Sequence, residues 1–77
     1  MTVDDLIEIY AEVLESPGIG PGDDFFAAGG DSLLATRVLS AIHRATGVEL
    51  TFEEFLADPT PEGLAGIVAH SGLGVPR

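Results

Sequence analysis

Between Glu15 and Asp31 the chain carries five glycines and two prolines, so that stretch is expected to be mostly irregular. Regular structure must therefore come from short segments on either side of a long connection. Before it, Val3, Leu6, Ile7, Tyr10, Val13 and Leu14 recur at helical spacing, and Thr2 stands as a cap ahead of Asp4 and Asp5, where the helix dipole favours acids. After it, a second helix is expected from about Ser32 to Thr46, with Gly47 as its stop. Thr51 and Glu54 have capping-box spacing and open a short third helix, about Phe52 to Ala57, closed by Asp58 and Pro59. Thr60 followed by Pro61 opens a fourth, whose buried side is Leu64, Ile67 and Val68. No alternating strand pattern occurs. The expected fold is all-α: a small four-helix bundle of three main helices plus a short third one, with a long first loop.

Long ordered loops in small domains need a pin, and the adjacent Phe25 and Phe26 supply one by docking on the helices. A chain of 77 residues has room for one domain and buries too little to enclose a deep catalytic cleft. That domain is expected over residues 1–70, with 71–77, bearing Gly and Pro, as a flexible C-terminal tail.

Charge excludes several functions. There are 13 acids, 3 bases and no lysine, a formal net charge of −10. Nucleic acid and anionic membranes are disfavoured as partners because both require basic patches. Basic protein surfaces are favoured, with a salt-sensitive attraction. Cysteine is absent, so there is no disulfide, no thiolate zinc site and no thiol in the chain itself. The N-terminus carries acids where a signal peptide carries bases, and no apolar run is long enough to span a bilayer. A cytoplasmic monomer is expected.

On a helical wheel Leu34, Ala35, Val38, Ile42 and Ala45 gather on the core side of the second helix, and Thr36, Arg37, Ser40, His43 and Arg44 face water. Leu33 falls in the middle of the polar side. Single exposed leucines are common, but this one directly follows Ser32 at the helix start and reads as a partner contact. Asp31 or Ser32 is a candidate N-cap. Capping does not account for Gly29 and Gly30, which leave the serine uncrowded and open to an approaching backbone. A helix N-terminus also suits a phosphate.

The run Asp24-Phe25-Phe26-Ala27-Ala28-Gly29-Gly30-Asp31-Ser32-Leu33-Leu34-Ala35-Thr36 closely resembles the core motif of peptidyl carrier proteins of nonribosomal peptide synthesis, in the acyl carrier protein-like superfamily. Gly47 to Thr51 and Asp58 to Thr60 resemble that family's second loop and the approach to its last helix, so the likeness spans nearly the whole chain. It implies 4'-phosphopantetheine attached to Ser32, with Gly30 and Asp31 beside it, and a carrier with no catalytic residue. The implied partners are a phosphopantetheinyl transferase, an adenylation enzyme and condensation or tailoring enzymes. Leu33, Thr36, Arg37, Ser40, Phe52 and Phe55 match or lie near the family's contact positions, with at least one of the two phenylalanines expected in the core.

Two positions depart from the pattern. Many members have histidine where Asp31 stands, and the aspartate form resembles carriers of epimerising or aryl-acid lines and some free-standing ones. Ala28 replaces a frequent leucine. Leu34 and Arg37 favour the peptidyl branch over carriers of polyketide or fatty-acid synthesis, which usually place acids shortly after the serine. The start at Met1 and the short tail suggest a free-standing carrier.

Competing functions fit less well. Gly30-Asp31-Ser32-Leu33 also spells a lipase and esterase signature, but the chain is too short for that sheet. The matching third positions before His43 and His70 are Ser40 and Ile67, not aspartate. No phosphate-loop ending and no calcium-loop spacing occurs, and no metal site is expected. An unmodified helical interaction domain would explain the acidity and Leu33 but not the Gly-Gly-Asp-Ser arrangement.

Overall fold

The computed structural model describes residues 1–74, with side chains described through His70. Four helices follow in order: α1 Val3–Leu14, α2 Ser32–Thr46, α3 Phe52–Ala57 and α4 Pro61–Gly74. No strand occurs among the described residues. The all-α expectation and all four helices hold. α4 runs on to Gly74, past the Ser71 start expected for the tail, and 75–77 lie outside the described residues.

Local chemistry fixes the starts. Thr2 and Asp5 form a reciprocal capping box on α1, with the Thr2 N–H donating to Asp5 Oδ2 at 2.8 Å and the Asp5 N–H donating to Thr2 Oγ1 at 3.2 Å. Thr51 and Glu54 do the same for α3. Gly47 ends α2 in the left-handed conformation, at φ 79°.

α1 packs against both α4 and α2, and α3 packs on α2. The core comprises Leu6 and Tyr10 of α1, Ala35, Val38 and Ile42 of α2, Phe55 of α3 and Leu64, Ala65 and Val68 of α4, with Leu50 and Phe25 from the connections. Burying a large apolar side chain contributes about 1.5–3 kcal/mol, so these residues hold the bundle together. Phe25 is sealed and Phe26 half-buried, as a loop pin should be. Two expected core positions fail at the margins. Ile9 packs against the core where Ile7 was expected, and Ala45 is exposed, whereas Leu39 packs against the core.

The long loop is tied down by backbone. The Phe25 N–H donates to the Pro59 carbonyl at 2.9 Å, and the Glu62 N–H donates to the Pro21 carbonyl at 3.0 Å. Tyr10 donates its hydroxyl to the same Pro59 oxygen at 2.7 Å. Three distant segments thus meet beside the entrance to α2.

Candidate attachment site

Asp31 settles the cap of α2. Its backbone is extended, its Oδ1 accepts the Leu34 N–H at 2.9 Å, and its carbonyl accepts the Ala35 N–H at 2.8 Å. Ser32 is therefore the first helical residue and not the cap. Its side chain is exposed, and among the described residues no hydrogen bond engages its hydroxyl. The first-turn N–H groups of Ser32 and Leu33 likewise find no partner among them. An exposed hydroxyl beside unpaired amides at a positive helix end can accept a phosphate-linked group. His43 lies in the last turn of α2, at the other end of the helix, with its Nε2 3.9 Å from Glu49 Oε2.

The segment before the serine is a braced turn. Asp24 Oδ1 accepts the N–H groups of Phe26 at 2.9 Å and Ala27 at 3.1 Å. The Gly30 N–H donates to the Phe25 carbonyl at 2.9 Å. The two glycines serve different ends. Gly29 sits at φ 112°, which L side chains rarely adopt, and open space lies beside it. At Gly30 a Cβ would overlap the edge atoms of the Phe25 ring. The uncrowded approach expected of both glycines holds at Gly29 only, and Gly30 is required by internal packing.

Leu33 is 70% exposed. Thr36, Arg37 and Ser40 are exposed and share with Leu33 an open groove between α1 and α2, of about 430 Å³, floored by Ile9 and Val13 and edged by Glu12 and Arg44. Thr36 also donates its hydroxyl to the Ser32 carbonyl at 3.1 Å. The two phenylalanines of α3 divide: Phe52 is 37% exposed, but Phe55 is sealed at 0% and cannot touch a partner. Phe55 packs edge-on against Phe25 and Phe26, at centroid distances of 5.2 and 5.8 Å. Sequence reasoning missed Leu56, which is 49% exposed on α3. The sequence carries no clear signal for it, because which side of α3 faces the core is decided only when Phe55 docks.

Among the described residues no cluster of three or more His, Cys, Asp or Glu is arranged to hold a metal ion, and no helix is long and apolar enough to cross a membrane.

A four-helix bundle presenting an exposed serine at a helix entrance agrees with the carrier-protein resemblance of the sequence. A family model described as "Phosphopantetheine attachment site" matches residues 4–68. Surfactin synthase subunit 1 of Bacillus subtilis (strain 168) is 39% identical over 67 residues, covering 87% of this chain and 2% of the synthase. A peptidyl carrier protein solved with coenzyme A and the phosphopantetheine transferase Sfp superposes with a TM-score of 0.87 at 40% identity, covering 91% of each chain. The solution structure of a carrier called a prototype for the peptidyl carrier domains of modular peptide synthetases gives 0.79 at 43% identity, covering 87% of this chain and 88% of that one. The chain belongs to the phosphopantetheine attachment site family, within which it is a peptidyl carrier domain, and its cofactor is 4'-phosphopantetheine. It spans 2% or less of the first curated relatives it matches.

Proposed function

We propose that Ser32 is the phosphopantetheine acceptor. The observation that carries this reading is the exposed Ser32 hydroxyl, which capping by Asp31 leaves free of any hydrogen bond among the described residues. In the transfer, the Ser32 oxygen bonds to the phosphopantetheine phosphorus and the pyrophosphate link of coenzyme A breaks. Adenosine bisphosphate leaves and the hydroxyl proton passes to the transferase. The arm supplies the thiol that a chain without cysteine lacks, on which an aminoacyl or related acyl group is held as a thioester. With coenzyme A and a broad-specificity transferase, intact-mass spectrometry should show the gain of one phosphopantetheine. Ser32→Ala should show none while keeping its helical circular dichroism. An unchanged wild-type mass beside an active transferase control overturns the assignment.

The domain itself catalyses nothing in this reading. It acts in the cytoplasm, serving an adenylation enzyme that loads it and condensation or tailoring enzymes that unload it. Tethering raises the effective concentration of the cargo at each in turn. Leu33, Thr36, Arg37 and Ser40 form the docking face of α2, to which Phe52 and the newly exposed Leu56 add apolar contacts from α3. Large exposed apolar side chains beside a reacting group are what a partner surface requires.

A further inference from the structure

Phe25 grips Gly30 twice, through its carbonyl, which accepts the Gly30 N–H at 2.9 Å, and through its ring, which supplies all three atoms nearest to the place of a Gly30 Cβ. The ring has nowhere to retreat. Tyr10 lies edge-on at 5.0 Å, Phe55 at 5.2 Å and Phe26 at 5.6 Å between centroids. Its own N–H is held by the Pro59 carbonyl, which the Tyr10 hydroxyl holds as well. Beyond Gly30 the path is short and constrained: Asp31 caps α2, and Ser32 is its first residue.

We infer that Phe25 is a positioning residue for Ser32: by clamping Gly30 it fixes where the serine hydroxyl stands relative to the bundle. A free hydroxyl is not enough for transfer, because in-line attack on phosphorus depends on orientation, and a displacement of about 1 Å can cost on the order of a hundredfold in rate. Most of the surrounding aromatics hold the core. Phe25 differs in that its ring is also the wall against which the backbone leading to Ser32 is set. A Cβ at Gly30 must push either the ring into its neighbours or the backbone, and the serine with it, outward.

The inference rests on Ser32 as the acceptor, and a double-mutant cycle separates the two claims. Wild type, Ser32→Ala, Gly30→Ala, Phe25→Leu, the Gly30→Ala/Phe25→Leu double variant and Phe55→Leu are each given coenzyme A and the transferase. Initial rates come from intact mass at several carrier concentrations, and melting temperatures from circular dichroism. Gly30→Ala should lower kcat/KM about tenfold or more while the helices persist. The double variant, with room restored, should recover much of that rate although it melts below wild type. Phe25→Leu should transfer more slowly than Phe55→Leu at comparable melting temperature. Rates that simply follow melting temperature across the set, or a double variant no faster than Gly30→Ala, overturn the inference. If Gly30→Ala fails to fold, Phe25→Leu against Phe55→Leu decides, and equal transfer overturns it. An unmodified wild type, or a modified Ser32→Ala, sinks the acceptor assignment instead.

Discussion

The entrances to α2 and α4 share a plan and differ in the residues that fill it. Each is capped by a polar side chain, and each has a glycine with no room for a Cβ: Gly30 against the Phe25 ring and Gly63 against the Asp58 carboxylate. At α4 the hydroxyl is consumed. Thr60 donates to Asp58 Oδ1 at 2.9 Å and accepts the Gly63 N–H at 3.0 Å, and the first helical residue is the sealed Pro61. At α2 a carboxylate in the equivalent position does the capping, and the first helical residue is an exposed serine. Both caps sit directly before the first helical residue, and the spare nucleophile of α2 arises because that residue is a serine where α4 has a proline.

The sharpest way to break that contrast is to remove each hydroxyl in turn. Ser32→Ala should abolish phosphopantetheine transfer with little change in melting temperature. Thr60→Ala should leave transfer near the wild-type rate and cost about 1 kcal/mol of stability, as lost caps do. Loss of transfer in Thr60→Ala, measured by intact mass, would make the two entrances functionally alike. Next in size is the contrast between the inside and outside of the α2 region. Phe55→Ala, which empties the aromatic cluster, should destabilise by about 3–5 kcal/mol in denaturant titration. Leu33→Asp should leave the melting temperature nearly unchanged but slow loading by an adenylation partner. A large fall in its melting temperature would place Leu33 in the structure and not at its interface.

The smallest effect lies at the junction between the two entrances. Burial, with the carboxylates of Asp24 and Asp58 nearby, pushes the Tyr10 hydroxyl well above its ordinary value of 10.0. A group whose folded pKa is raised contributes stability that is complete below the unfolded value and is lost as pH rises beyond it. The protein should therefore lose stability above pH 10 in a way that Tyr10→Phe does not. Since Tyr10 is the one tyrosine and tryptophan is absent, its absorbance follows the titration directly. A wild-type and Tyr10→Phe difference that is flat with pH would refute the account.

Much of this was written in the sequence because local chemistry decides it. Capping residues and helical periodicity placed all four helices, and the break in polarity at Leu33 located its exposed face. What stayed hidden depends on contacts between distant segments. Nothing near Gly30 says that its missing side chain makes room for Phe25, because that ring is positioned by Tyr10, Phe55 and the Pro59 carbonyl. Phe52 and Phe55 look alike in the sequence and part company only when α3 docks. Asp31 and Ser32 were both plausible caps until the geometry chose one.

The Pro59 carbonyl also orders events in time. Its bond to Tyr10 closes a separation of 49 positions, and its bond to Phe25 braces the turn ahead of Ser32. A chain still emerging from the ribosome has no such oxygen to close on until Pro59 has left the exit tunnel. The domain should then be a poor transferase substrate until Pro59 has emerged, so that the arm goes to folded carriers and partly emerged ones are passed over.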